Sequence, residues 1–204
     1  YFNKIRVCNL SVFSIFELES KKKLGSKIFN TTDQFHPGYK NFLKSKKYFV
    51  EGKIENFNNR ILKMISFSSP ENVVSKIKKS GLKNVAAFHT RNVPHKGHEW
   101  IHNYALKKCD GLLIHPLIGQ FLKNEYRENI IINSNKKLIK NIYKNKKIFL
   151  EFFNSYPRYA GPREAMFHAL VRRNYGCSHF LVGRDHAGAL NRYGKNYYKK
   201  YASQ

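Results

Sequence analysis

Asn84-Val85-Ala86-Ala87-Phe88-His89-Thr90-Arg91-Asn92-Val93-Pro94-His95-Lys96-Gly97-His98-Glu99 is the stretch on which the reading of the fold turns. An apolar run, Val85 to Phe88, gives way to polar residues and then to helical spacing from Gly97. That order is the one a buried parallel strand shows when it feeds a crossover helix, the loop lying at the strand's carboxyl end. The loop gathers His89, Arg91, His95 and His98 within ten residues. His95 and His98, three apart at a helix start, share one face. The helix end adds unpaired N–H groups and a partial positive charge, and Gly97 lets a ligand or a neighbouring strand come close. Such a layout suits phosphate oxygens. Two other readings stand beside it: a pair of structural histidines, or a zinc site. Zinc is disfavoured because Glu99 follows the second His instead of lying between the pair, and no third ligand has an evident spacing.

Outward toward the C-terminus the alternation continues. The patterns predict strand 84–88, helix 97–108, strand 111–114, an amphipathic helix 135–146, strand 147–153, a helix over 161–175 and a short strand 179–182 ending at Gly183. Upstream, Ser69 is a good N-cap with Pro70 at the first helical position, and Val73, Val74 and Ile77 repeat until Gly81. Alternating strands and helices imply a parallel sheet with crossover helices, whose ligands bind beyond the carboxyl ends of the strands. His89–His98 and Gly183–Gly188 both follow strands, so both should face one crevice. In the second loop the glycines permit tight turning, Arg184 offers a planar fork of donors and Asp185 can orient a neighbour. A plain turn with surface charges is the bland alternative.

Toward the N-terminus, residues 5–19 alternate and read as one or two strands, Lys21–Lys23 as a solvated turn, Thr31–Gly38 as a loop with a reversal at Pro37-Gly38, and 47–50 with 52–57 as a strand pair. Residues 1–66 thus read as the tail of a mostly β domain, and 67–204 as a second, α/β domain. The chain opens on Tyr1 and reads as a fragment.

Composition bounds the rest. With 204 residues, 42% hydrophobic and 15% aromatic, the chain can bury a substantial core. No run approaches the roughly 18 apolar residues of a membrane span, and no signal-peptide pattern opens the chain. Cys8, Cys109 and Cys177, odd in number and widely spaced, read as buried free thiols in a reducing cytoplasm. A net charge of +25 raises nucleic acid as a partner. Against that, 28 Lys outnumber 10 Arg, are spread along the chain and accompany 21 Asn, the look of a solvated surface. A dedicated RNA binder would cluster Arg among aromatics. No nucleic-acid or membrane partner is expected.

Several segments together resemble ATP sulfurylase (sulfate adenylyltransferase). They are Phe88-His89-Thr90-Arg91-Asn92 with His95, His98 and Glu99; Tyr159-Ala160-Gly161-Pro162-Arg163-Glu164-Ala165 with His168-Ala169; Asn174 to Phe180; and Gly183-Arg184-Asp185-His186-Ala187-Gly188. Thr31-Thr32-Asp33 with His36-Pro37-Gly38 resembles part of that family's PUA-like N-terminal domain. Tyr193-Gly194, Tyr197-Tyr198 and Ala202-Ser203-Gln204 resemble the stretch after its last loop.

The resemblance implies a Rossmann-like nucleotidyltransferase domain preceded by part of a PUA-like domain. It implies a reaction in which ATP and sulfate give adenosine 5′-phosphosulfate and pyrophosphate, with Mg2+ on the nucleotide phosphates, in a cytoplasmic homo-oligomer. Carried over by position, His89, Thr90, Arg91 and Asn92 form the substrate loop, Arg91 being the main sulfate ligand and Asn92 an ATP contact. His95 and His98 stabilise charge on the departing pyrophosphate. Gly183, Arg184, Asp185 and His186 form a second nucleotide loop, and the Ala187 N–H points to sulfate. His115-Pro116-Leu117-Ile118-Gly119 lines the crevice or is structural, while His168 and His179 read as core residues or as supports behind the ligands.

Three departures stand out. His89 occupies a position that is usually Gln, Val93 stands where a Pro usually follows the Asn, and Ala189–Arg192 replaces the usual continuation. Because His titrates, His89 predicts a steeper pH dependence than a Gln would give. It also motivates the alternative of a non-catalytic nucleotide-binding homologue.

Overall fold

The computed structural model describes residues 4–58, 68–119, 126–144, 146–183, 185–189, 194 and 196–198. The chain divides into two compact units, Tyr1–Ser66 with Ala189–Lys199, and Phe67–Gly188 with Lys200–Gln204. The first boundary falls beside residue 67, and residues 189–199 group with the first unit where the sequence reading continues the second domain to 204.

In the first unit, β1 (Asn9–Glu17) pairs antiparallel with β2 (Tyr48–Glu55), and a register shift between Val12 and Ser14 marks a bulge. The expected strand pair at 47–57 is one strand. Helices α1 (Lys21–Phe29) and α2 (Pro37–Leu43) stand where a turn and a loop were expected. Local chemistry explains both. The Ser20 side chain caps α1 by accepting from the Lys23 N–H, and Pro37 sits at the start of α2, whose cap is the Nδ1 of His36. The described part of this unit is therefore mixed and not mostly β. His36 is fully buried, its Nε2 3.4 Å from the Tyr198 hydroxyl. Tyr197 donates to Asp33 (2.9 Å), and the Asn30 amide donates to the Tyr197 carbonyl (3.1 Å). Thr31–Gly38 and Tyr197-Tyr198, far apart in sequence, close on each other.

The second unit begins with α3 (Pro70–Lys79), capped by Ser69 as its sequence predicts, and turns at Gly81 with φ +72°. The remaining elements are β3 (Val85–Phe88), α4 (Lys96–Lys108), β4 (Gly111–Ile114), β5 (Leu117–Ile118), α5 (Glu128–Ile142), β6 (Ile148–Leu150), β7 (Phe153–Asn154), α6 (Pro162–Asn174) and β8 (His179–Leu181). The main sheet has the order β6-β4-β3-β8, all parallel. Beyond β4 and β6 the chain forms a second parallel pair, β5 with β7, so the single expected strand 147–153 is two short ones. The helix expected at 135–146 spans 128–142.

Alternate strand residues bury into opposite faces. Val85, Ala87 and Leu113 pack with Val73 and Ile77 of α3 and with Tyr175, while Ala86, Phe88, Leu112 and Ile114 pack with Ala105 of α4 and Leu138 of α5. A sheet covered on both sides needs apolar residues at every strand position, which is why β3 and β4 read as uninterrupted apolar runs. Chain order runs outward through β3, β4 and β6 and then returns to β8 beside β3. The reversal lies between β3 and β8, and their carboxyl ends bound the crevice where ligands of such sheets bind.

Candidate active site

The loop after β3 starts with His89 and Thr90. Thr90 is buried, its hydroxyl accepts the Asn92 N–H (3.1 Å), and its carbonyl accepts the Leu117 N–H (2.8 Å), which ties the loop to β5. Arg91 lies over the Tyr159 ring, its guanidinium carbon 4.9 Å from the centroid, and Asn92 is exposed. His95 is the N-cap of α4, its Nδ1 accepting the Gly97 N–H (3.1 Å). The His95 and His98 rings stack with centroids 3.8 Å apart, as two imidazoles on one helix face can. They differ in environment, though. His95 is exposed, whereas His98 is buried against Phe88 and His102 with Nδ1 sealed and unpartnered. Burial, with His95 beside it, pulls the His98 pKa down to about 4, so His98 is a neutral ring at physiological pH.

The second loop follows β8. The His186 N–H donates to the Gly183 carbonyl (3.1 Å) and the Gly188 N–H to the Asp185 carbonyl (3.0 Å). A Cβ on Gly188 would collide with the Asp185 carboxylate. Ala187 has φ +56°, and its carbonyl accepts the Gly161 N–H (3.1 Å). Arg184 lies outside the described residues, as do Tyr193 and 199–204. The two loops meet, His89 and His186 having ring centroids 5.4 Å apart.

Between them stands a group in which the sequence reading takes His168 as a core residue or a support and does not single out Arg172. The ring of His168 of α6 lies against that of His89, tilted by 31° with centroids 4.0 Å apart, and its Nδ1 lies 3.0 Å from the Nε2 of His186. Glu164 approaches the Nε2 of His168 at 3.6 Å while its carboxylate accepts the N–H groups of Arg158 (2.9 Å) and Ala160 (3.1 Å). Arg172, fully buried one turn further along α6, donates to the Nδ1 of His89 (2.6 Å), to the His115 carbonyl (3.2 Å) and to the His168 carbonyl (3.4 Å). Spacing carries one cue to Arg172: it follows His168 by four residues in a helical stretch and therefore shares its face. Its burial, however, follows only from the docking of α6 on the sheet.

Burial and the neighbouring arginines lower the pKa of His168 to about 2 and of His186 to about 4. For His89, burial first, then Arg172, His168, His186 and Arg91, push the value well below 6.5. His89 is therefore neutral at physiological pH, and the steep titration expected of it does not arise.

The ring nitrogens of His89, His168 and His186 lie within 4.8 Å of one another, close enough to hold a metal ion. The surroundings oppose a cation, since the Arg172 guanidinium already occupies the Nδ1 of His89 and Arg91 adds to the positive field. Anions fit this charge better. His115, expected at the crevice or in the structure, is fully buried among Tyr175 and Phe153 and is structural. His168 is buried, whereas His179 is exposed and not a core residue. Of the thiols, Cys177 is buried and Cys8 and Cys109 are half-buried, and all three are free.

The ATP-sulfurylase family profile matches residues 66–204. The chain belongs to the ATP-sulfurylase family. It is 39% identical over 175 residues to a sulfate adenylyltransferase of Hyperthermus butylicus, covering 85% of this chain and 45% of that protein. To one of Thermococcus onnurineus it is 37% identical over 195 residues, covering 95% and 51%. The chain spans about half the length of these curated relatives of the ATP-sulfurylase family. Among solved structures, a hexameric APS kinase from Thiobacillus denitrificans superposes with a TM-score of 0.53 at 19% identity, covering 74% of this chain and 31% of that one. At that identity the likeness speaks for the fold alone, an α/β fold. No helix among the described residues is long and apolar enough to cross a membrane.

Proposed function

We propose that this chain carries the adenylyl-transfer site of a sulfate adenylyltransferase. The observation that carries the reading is the meeting of the β3 and β8 loops, His89 against His186, at the carboxyl ends of adjacent parallel strands in a member of this family. A sulfate oxygen attacks the α-phosphorus of ATP, the bond from that phosphorus to the bridging oxygen of the β-phosphate breaks, and pyrophosphate leaves with the electron pair. Sulfate has no proton to lose, so no general base is needed, and the work is positioning and charge neutralisation.

In this reading Arg91 and the Ala187 N–H hold sulfate beside His89, and Thr90 keeps the loop in place. Asn92 and the loop Gly183, Arg184, Asp185 and His186 hold the nucleotide, with His95 and His98 on the pyrophosphate side. The donor set is imidazole and guanidinium, with Asp185 the loop's one carboxylate. Mg2+ prefers an oxygen cage, so it would enter on the nucleotide's own phosphates, where it neutralises their charge. Assembly as a homo-oligomer and a cytoplasmic location complete the proposal, on family resemblance alone.

The test is pyrophosphate release from ATP on addition of molybdate, whose adenylyl product hydrolyses at once. Release that falls about 10²–10³-fold in Arg91→Ala, with ATP binding retained, is the expected result. Nucleotide binding without release would favour the non-catalytic homologue.

A further inference from the structure

Arg172 is the least expected residue of the second unit. A guanidinium removed from water is costly unless an anion pairs with it, yet among the described residues no carboxylate forms an ion pair with Arg172. Its contacts include two carbonyls, the Nδ1 of His89 and the rings of Phe153 and Phe180, 4.6 Å and 6.0 Å from the guanidinium carbon. Its Nε is buried without a partner, and burial pulls its pKa down to about 9, which still leaves it charged at neutral pH.

The contact with His89 has a definite polarity. An arginine has only N–H donors and no acceptor, so a 2.6 Å contact makes the Nδ1 of His89 the acceptor. A neutral imidazole with its lone pair on Nδ1 carries its proton on Nε2. That Nε2 has no hydrogen-bond partner among the described residues and is not one of the sealed ring nitrogens. The His168 ring, tilted by 31° with its centroid 4.0 Å away, packs against the imidazole.

We propose that Arg172 is a positioning residue that locks His89 as its Nε2–H tautomer, making His89 a fixed neutral donor to an oxyanion bound beside Arg91. The inference rests on the sulfate-site reading for the identity of that oxyanion, though not for the lock itself. The charge of Arg172 acts through the ring: it polarises the imidazole and strengthens the outward Nε2–H. An amide side chain at position 89 would present the same polarity, its oxygen toward Arg172 and its N–H outward. A histidine can therefore serve where the family usually has Gln, provided one tautomer is enforced. The same lock excludes His89 from ligating a metal through Nε2, because a metal there would move the proton to Nδ1, against the Arg172 donors.

Two-bond 1H–15N correlation spectra of the full chain with 15N-labelled histidine read the tautomer directly, without any activity. A single Nε2–H form for His89 at neutral pH is expected, and an Nδ1–H form or an imidazolium would overturn the proposal. Adding Co2+ should leave the visible spectrum free of protein-bound d–d bands that vanish in His89→Ala; such bands would also overturn it. Arg172→Leu should mix the two tautomers and weaken sulfate binding about tenfold, the equivalent of one charge-assisted hydrogen bond. In a His89→Ala background the same change should cost under about twofold, since coupled residues lose additivity. If Arg172→Leu does not fold, the spectrum of the unaltered chain still decides the tautomer. A confirmed lock without sulfate binding would sink the sulfate reading and leave the lock standing, whereas the wrong tautomer with sulfate bound would do the reverse.

Discussion

The second unit holds two groups of histidines, and they are made in different ways. His95 and His98 lie on one helix start, three residues apart, so their 3.8 Å stacking follows from the helix alone. His89, His168 and His186 come from a strand end, a helix and a later loop, and nothing short of the folded sheet brings their nitrogens within 4.8 Å. The local pair has one member exposed and one buried. The assembled trio sits around a buried arginine, and its members are held neutral by burial and by that charge. Proximity in sequence leaves His95 exposed beside a buried His98, while proximity in space encloses three imidazoles and holds all of them neutral.

The largest effect expected from this contrast is on acid stability. In the folded chain His102 and His115 have pKa values of about 3, His98 and His186 about 4 and His168 about 2, against an ordinary 6.5. Below pH 6.5 the unfolded chain takes up protons that the folded chain refuses, so stability is full above 6.5 and is lost as pH falls toward 4. Each such ring contributes a slope of up to about 1.4 kcal/mol per pH unit. Urea midpoints measured from about pH 7.5 to about 4.5 should fall steeply, and His168→Gln should flatten that slope. A slope left unchanged in His168→Gln would remove the share assigned to the assembled trio.

Gly161→Ala should be next in size. Gly161 has φ +54° and ψ −123°, a backbone region that side chains avoid, and its N–H holds the Ala187 carbonyl. A cost of about 1–3 kcal/mol is expected, read by urea denaturation, together with weaker nucleotide binding as the β8 loop shifts. The smallest effect belongs to the local pair. His95→Ala removes the cap on the Gly97 N–H and should cost about 0.5–1 kcal/mol in the same assay, with His98 left in place.

Much of the second unit was legible because its cues are local. The uninterrupted apolar runs of β3 and β4, the Ser69-Pro70 start of α3 and the turn at Gly81 are each decided within a few residues. The first unit was read less well. Lys21–Lys23 resembles a solvated turn by composition, yet a capped helix starts there, because Ser20 supplies the acceptor and Gly25 and Phe29, one turn apart, supply a buried face. The Pro37-Gly38 pair opens a helix because Pro fits a first turn as well as a reversal. Arg172 stayed hidden for another reason: four residues beyond His168 it shares that face, but nothing local says that the face is buried.

The sequence by itself determined the strand–loop–helix order around residues 84–99 and the family. Those depend on neighbours along the chain and on the periods of helix and strand. Only the tertiary structure decided what His89 is. Its neutrality comes first from a low-dielectric pocket that exists only when α6 docks against the β3 and β8 ends and then from Arg172, 83 positions away, whose donors also set its tautomer.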